Sequence, residues 1–245
     1  MKIGIIGFGP FGEFTAKVLA PYGEIFVDAK EEVPEEYHEI AFAELADMDI
    51  VILAIPLEAY ENILKKLHPL LNPETVVVDV CSVKVKSRDI MLETLKGHEN
   101  IMVTHPLFGP QSAEDGVAGH DFIVAAAIGE NAKKYVKFCE EVLKMRVLHF
   151  TAEQHDHIMA YVHALTFFVA RGLSNLRMPD LSIQTPSFDM LRDLIDLDSR
   201  HTEELFLTIQ QGNPYGEQVR RQLIETFEEL EAKLALKHIE EQDRG

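Results

Sequence analysis

The chain has 245 residues, 47% hydrophobic and 26% charged, an ordinary balance for a folded globular protein and enough for one large core or two modest ones. Its formal net charge of −18 argues against non-specific nucleic-acid binding, because a phosphate backbone would be repelled. No apolar run approaches the roughly 20 residues needed to cross a bilayer, so no membrane partner is expected. The two cysteines, Cys81 and Cys139, form no CxxC pair and read as reduced thiols. Met1-Lys2-Ile3-Gly4-Ile5-Ile6 enters a strand-like segment without the features of a signal peptide, and the expected location is cytoplasmic.

In chain order, short apolar runs at 3–6, 24–27, 50–54, 76–80, 101–104 and 122–126 alternate with stretches of helical periodicity at 11–22, 58–68, 86–95 and 131–143. Most of the runs are unbroken blocks of Val and Ile, as parallel strands covered on both faces require. A last short strand at 146–150 closes the series. The βαβ alternation predicts a doubly wound, mostly parallel α/β sheet of the Rossmann type over residues 1–150. Beyond Thr151, a candidate helix cap, the pattern becomes helical at 153–176, 186–198, 202–211 and 215–240. Residues 151–245 are therefore expected to form an all-helical C-terminal domain.

The first strand runs into Gly7-Phe8-Gly9-Pro10-Phe11-Gly12 and then a helix. In this context Gly7 permits a tight turn, Gly9 lets backbone approach a pyrophosphate, and Gly12 allows close helix–strand packing, with the helix starting near Phe11. Asp28, at the end of the second strand, suits the adenosine ribose hydroxyls and repels a 2′-phosphate, which favours NAD over NADP. Ile55-Pro56 leaves a further strand at the same carboxyl edge, either as part of the cofactor crevice or as an ordinary strand-to-helix turn.

Two more strand ends carry polar residues at that edge: Asp79-Val80-Cys81-Ser82-Val83-Lys84 and Thr104-His105-Pro106-Leu107-Phe108-Gly109-Pro110. A histidine there can take the proton of an alcohol while hydride leaves for a nicotinamide, with Ser82 orienting it or bonding the same hydroxyl. The residues alone leave His105 equally readable as a packing histidine. Lys84 reads as a base, or as a residue with a structural or a cofactor-edge role. His155 and His157, two apart on a helix, face different directions and read as surface or capping residues, and no metal site is expected.

These motifs, with Glu153-Gln154-His155-Asp156 and Thr185-Pro186 further on, resemble the prephenate and arogenate dehydrogenases of tyrosine biosynthesis, over nearly the whole chain. The resemblance implies that His105 contacts the substrate's ring hydroxyl and that Ser82 supports it. It implies NAD-dependent oxidative decarboxylation of prephenate to 4-hydroxyphenylpyruvate, with arogenate as the alternative substrate. Where the family carries a histidine on the long helix this chain has Phe167, with His163 one turn earlier. Gln111 stands where an acidic residue is common, and Leu197 where an arginine anchors a substrate carboxylate. Gln111, His163, Arg192 and Arg200 are therefore the candidates on the substrate side. Two other readings compete. A dehydrogenase of the β-hydroxyacid type would need a catalytic lysine on the helix at 153–176, which has none. A non-catalytic NAD-binding regulatory or partner protein would keep the glycine loop and lose the substrate site. A helical domain of this size has little core of its own, so faces carrying Leu165, Phe168, Val169 and Leu173 are expected to pack on a second copy as a homodimer.

Overall fold

The sheet is built on Lys2–Ile6 (β1), Glu24–Asp28 (β2), His38–Glu39 (β3), Ile50–Leu53 (β4), Val76–Asp79 (β5), Ile101–Pro106 (β6), Asp121–Ile128 (β7) and Arg146–His149 (β8). They pair in the order β3-β2-β1-β4-β5-β6-β7-β8, in a computed structural model that describes residues 1–199 and 201–242. Every pairing is parallel except that between β6 and β7. β4 and β5 are buried at every position, which is why they read as unbroken apolar blocks, Ile50–Leu53 and, up to the buried Asp79 that ends β5, three valines, rather than alternating ones. The two-residue β3 lies outside the apolar pattern. It sits at the sheet edge in a polar, exposed segment, and only its backbone pairing with β2 defines it.

Helices Pro10–Leu19 (α1), Tyr60–Leu67 (α2), Lys84–Thr94 (α3) and Glu130–Glu141 (α4) connect the strands. Their apolar faces help to form two separate cores. One gathers Ile3, Ile5, Ala16, Leu19 and Tyr135, and the other Leu45, Leu53, Tyr60, Leu64 and Met91. With β1 between β2 and β4, the chain reverses direction across the sheet beside β1, and the loops leaving β1 and β4 flank the crevice created there.

The chain divides into two compact units, Met1–Asp156 and His157–Gly245. The division falls after Asp156, not after residue 150, because the first turn of the helix Ala152–Met159 (α5) bonds back to the sheet unit. Thr151 caps α5 reciprocally with Gln154: the Gln154 N–H donates to Thr151 Oγ1 (3.1 Å) and the Thr151 N–H to Gln154 Oε1 (2.9 Å).

The second unit contains the helices Thr166–Asn175 (α6), Pro186–Ser199 (α7), Glu203–Gly212 (α8) and Gly216–Gln242 (α9). The uninterrupted helix expected at 153–176 is broken by a π-helical stretch, Ala160–Leu165. Gln210 supports this wider turn by donating its side-chain N–H to the Ala164 carbonyl (2.7 Å), and Arg220 in turn holds the Gln210 carbonyl and amide oxygens (2.8 and 2.9 Å). No periodicity in the sequence announces that break, since a π turn adds one residue to an otherwise regular helix.

Candidate active site

The glycine loop is shaped by its own close contacts. Gly7 has φ +90°, and its N–H donates to the Asp28 carbonyl (2.9 Å). A methyl group at Gly7 would meet the Ala54 carbonyl oxygen at 2.5 Å and Ile55 Cγ2 at 2.8 Å, and one at Gly12 would collide with the Gly7 carbonyl. Those two glycines are thus explained by protein contacts. Gly9 is not: its backbone is ordinary and a methyl group there would meet no protein atom within 4 Å. A glycine that the protein itself does not require, at the N-cap of α1, is what the close approach of a pyrophosphate explains. Phe11 and Pro56 are half-buried beside it, and half-burial raises the Asp28 carboxyl above its ordinary pKa. Gly7, Gly9, Phe11, Gly12, Asp28, Ile55 and Pro56 lie at the carboxyl ends of β1, β2 and β4 or in the first turn of α1, a setting that suits a dinucleotide.

β5 delivers a saturated buried ion pair. Asp79 and Lys84 are both inaccessible to solvent and bonded directly to one another. Tyr60 Oη (2.8 Å) and the Cys81 N–H (2.7 Å) also donate to Asp79, as does Ser87 Oγ (2.7 Å). Lys84 Nζ donates a further bond to the Thr104 carbonyl (2.6 Å), and Thr104 Oγ1 closes the network on the Asp79 carbonyl (2.5 Å). Burial, then the Asp79 charge, hold the Tyr60 hydroxyl well above its ordinary pKa, and burial pushes the Cys81 thiol up to about 12. Lys84 is therefore a structural cation that ties α3 to β5 and β6. Ser82, half-buried, is carried on the bend between Asp79 and Lys84 that this network anchors.

β6 delivers His105. The β6–β7 register shifts between Val103 and Thr104, leaving Ala125 as an extra residue, and such a bulge re-aims the side chains beside it. His105 is 5% exposed, and its Nδ1 lies 2.9 Å from Nε2 of His155, whose Nδ1 lies 2.8 Å from Asp156 Oδ1. Asp156 Oδ1 accepts the Lys84 N–H and Oδ2 the Val85 N–H, each at 2.8 Å. His155, read as a surface or capping residue, is in fact 1% exposed, whereas His157 is on the surface. Sequence reasoning missed it because a helical face is assigned by apolar neighbours, and the partner of His155 is another imidazole 50 residues away. The signals available were the Thr151/Gln154 capping box, which fixes the turn that carries it, and its place in the Glu153-Gln154-His155-Asp156 motif.

Gln111 is exposed on the loop after β6. In the helical unit, half-buried His163 lies in the π-helical stretch and packs edge-on against Phe167 (4.8 Å), which packs likewise against His201 (4.5 Å). His201 was not singled out by the sequence. Arg192 is on the surface of α7, where it bonds Gln184 Oε1 (2.9 Å) and Asp189 Oδ1 (3.0 Å). Arg200 lies outside the described residues. Arg171 is held bidentately on its Nε by buried Asp198 (2.8 Å to each oxygen) and by Glu203, with Phe206 beneath its guanidinium (4.2 Å). Among the described residues no group of three or more His, Cys, Asp or Glu is arranged to hold a metal ion, and no helix is long and apolar enough to cross a membrane.

Residues 27–146 match the family model described as prephenate dehydrogenase, nucleotide-binding domain. Over 96% of its length the chain is 26% identical to each of two Arabidopsis thaliana proteins, arogenate dehydrogenase 2, chloroplastic, and arogenate dehydrogenase 1, chloroplastic. It spans 70% of the first relative's length and 39% of the second's. Its fold is similar to that of prephenate dehydrogenase from A. aeolicus, solved with hydroxyphenyl propionate and NAD+. The TM-score is 0.73 at 21% identity, covering 99% of this chain and 92% of the other.

Proposed function

We propose that the chain is a member of the prephenate/arogenate dehydrogenase family and that it catalyses the NAD-dependent oxidative decarboxylation of prephenate to 4-hydroxyphenylpyruvate, a reading supported by the family model over residues 27–146 and by the plant relatives. The observation that carries this reading is a buried histidine, His105, on the same carboxyl edge as the glycine loop. It stands three strands from β1, a span of about 14 Å at ordinary strand spacing. That span suits a dinucleotide, whose pyrophosphate Gly9 would hold.

NAD supplies the hydride acceptor when bound. His105 takes the proton of the ring hydroxyl as hydride leaves the carbon that bears it, producing a ketone conjugated towards the carboxylate-bearing carbon. The bond to that carboxylate then breaks, its electron pair aromatises the ring, and the phenolate oxygen recovers the proton from His105. Proton, hydride and CO2 are all accounted for, and aromatisation makes the sequence irreversible. Ser82, on the neighbouring strand end, supports the hydroxyl. Asp28 favours NAD over NADP by accepting the ribose hydroxyls.

Arogenate is the second reading, favoured by the names of the two plant relatives. The deciding experiment measures NADH or NADPH formation from prephenate and from arogenate with each cofactor. Prephenate with NAD is expected to give the highest kcat/KM. A preference for arogenate would replace the substrate, and NAD binding without turnover of either compound would leave a non-catalytic binder.

A homodimer through the helical unit belongs to the same proposal. On α9, Ile224, Phe227, Leu230 and Leu234 form one apolar stripe at helical spacing and are 44–57% exposed. Light scattering is expected to give twice the chain mass, and the mass of a single chain would overturn this part.

A further inference from the structure

His105, His155 and Asp156 form a continuous chain of hydrogen bonds inside the first unit, none of them more than 5% exposed. With Asp156 ionised, one arrangement of protons satisfies each of these links with both rings neutral. Asp156 already accepts the backbone N–H groups of Lys84 and Val85, the first residues of α3, and a helix N-terminus favours the ionised carboxylate. An ionised carboxylate only accepts, so His155 Nδ1 is the donor to it. A neutral imidazole carries one proton, so His155 Nε2 is an acceptor and His105 Nδ1 donates to it. The lone pair of His105 then lies on Nε2.

We infer that His155 and Asp156 are positioning residues that hold His105 in its Nδ1–H tautomer and make Nε2 the atom that takes the substrate proton. The inference rests on the reading of His105 as the base and adds which nitrogen acts and what fixes it. As the substrate O–H bond breaks, a bond forms from the proton to His105 Nε2. The resulting imidazolium keeps its Nδ1–H bond to His155, with the Asp156 charge one ring further on. Return of that proton to the phenolate oxygen restores the starting tautomer. The competing arrangement places an imidazolium at His155, donating to both neighbours and forcing the His105 proton onto Nε2. It would bury a cation at a residue 1% exposed, beside a carboxylate already engaged by two backbone amides.

The test is the imidazole 15N spectrum of the full chain, read through long-range proton–nitrogen correlations, with kinetics of His155→Phe and His155→Gln in parallel. The wild-type protein is expected to show His105 protonated on Nδ1 and bare on Nε2. In His155→Phe the two His105 tautomers should mix and kcat should fall about 100-fold, with KM and NAD affinity within twofold. His155→Gln, whose amide can accept from His105 and donate to Asp156, should recover most of the lost kcat. A wild-type His105 proton on Nε2, or an unchanged kcat in His155→Phe, would overturn the inference. The wild-type spectrum needs neither substrate nor variant. Absence of turnover with prephenate and arogenate alike therefore counts against the functional reading, while the spectrum alone decides the tautomer.

Discussion

Two buried polar clusters sit at the carboxyl ends of adjacent strands, and they differ in what their protons can do. Around Asp79 on β5 the partners are an ammonium, two hydroxyls and a backbone amide, and every buried lone pair is matched by a fixed donor. Around His105 on β6 the links are imidazoles, in which the identity of donor and acceptor follows from the neighbour. The first arrangement stores rigidity, because losing any one partner would leave a buried charge under-satisfied. The second passes a preference along a line and ends on a ring that can change its protonation. A reaction that needs a base requires the second kind, held in place by the first: Lys84 bonds the backbone of Thr104, the residue before His105.

The sharpest way to break this contrast is His105→Asn, which keeps a donor towards His155 and removes the base. kcat/KM for prephenate is expected to fall about 10²- to 10⁴-fold, with NAD affinity and thermal midpoint nearly unchanged, as read by steady-state assay and calorimetry. An active variant would move the base elsewhere. Next in size is Lys84→Met, which leaves the Asp79 carboxylate buried without its cation. Urea titration should show a loss of about 3–5 kcal/mol, and Asp79→Asn combined with Lys84→Met should be more stable than Lys84→Met alone. Ser87→Ala removes one of the donors to Asp79 and should cost about 1–3 kcal/mol while leaving kcat within twofold. The same change in kcat as in stability would merge the two clusters into one catalytic unit. The smallest effect is chemical. With its pKa pushed up to about 12 by burial, Cys81 should resist iodoacetamide at pH 8 in the folded protein and react once it is unfolded.

Much of the first unit was legible because its signals are local. Gly7-Phe8-Gly9-Pro10-Phe11-Gly12 must turn where it does, and fully buried blocks such as Ile50–Leu53 admit few other states. β3 escaped because two polar, exposed residues leave no apolar pattern, and the ring of His38 finds its stacking partner Phe26 only once the strands pair. The polar strand ends that carry Ser82 and His105 were legible from the apolar runs before them. His155 was not, since its burial depends on a partner distant in sequence. Nor was the role of Lys84, whose motif position is equally compatible with a base and with a structural cation. In the helical unit the helices were readable from periodicity, but the π-helical stretch around His163 was not, because Gln210 and Arg220 support it from other helices.

The sequence by itself determined the alternation of strands and helices, the glycine loop with Asp28, and the presence of a histidine at a carboxyl strand end. Those follow from backbone sterics and from the period of apolar burial, which act over a few residues. Only the tertiary structure decided which polar residues are buried against one another. It placed Lys84 on Asp79 and His155 between His105 and Asp156. That choice turns on which groups are buried together, and burial together is a property of the packed chain.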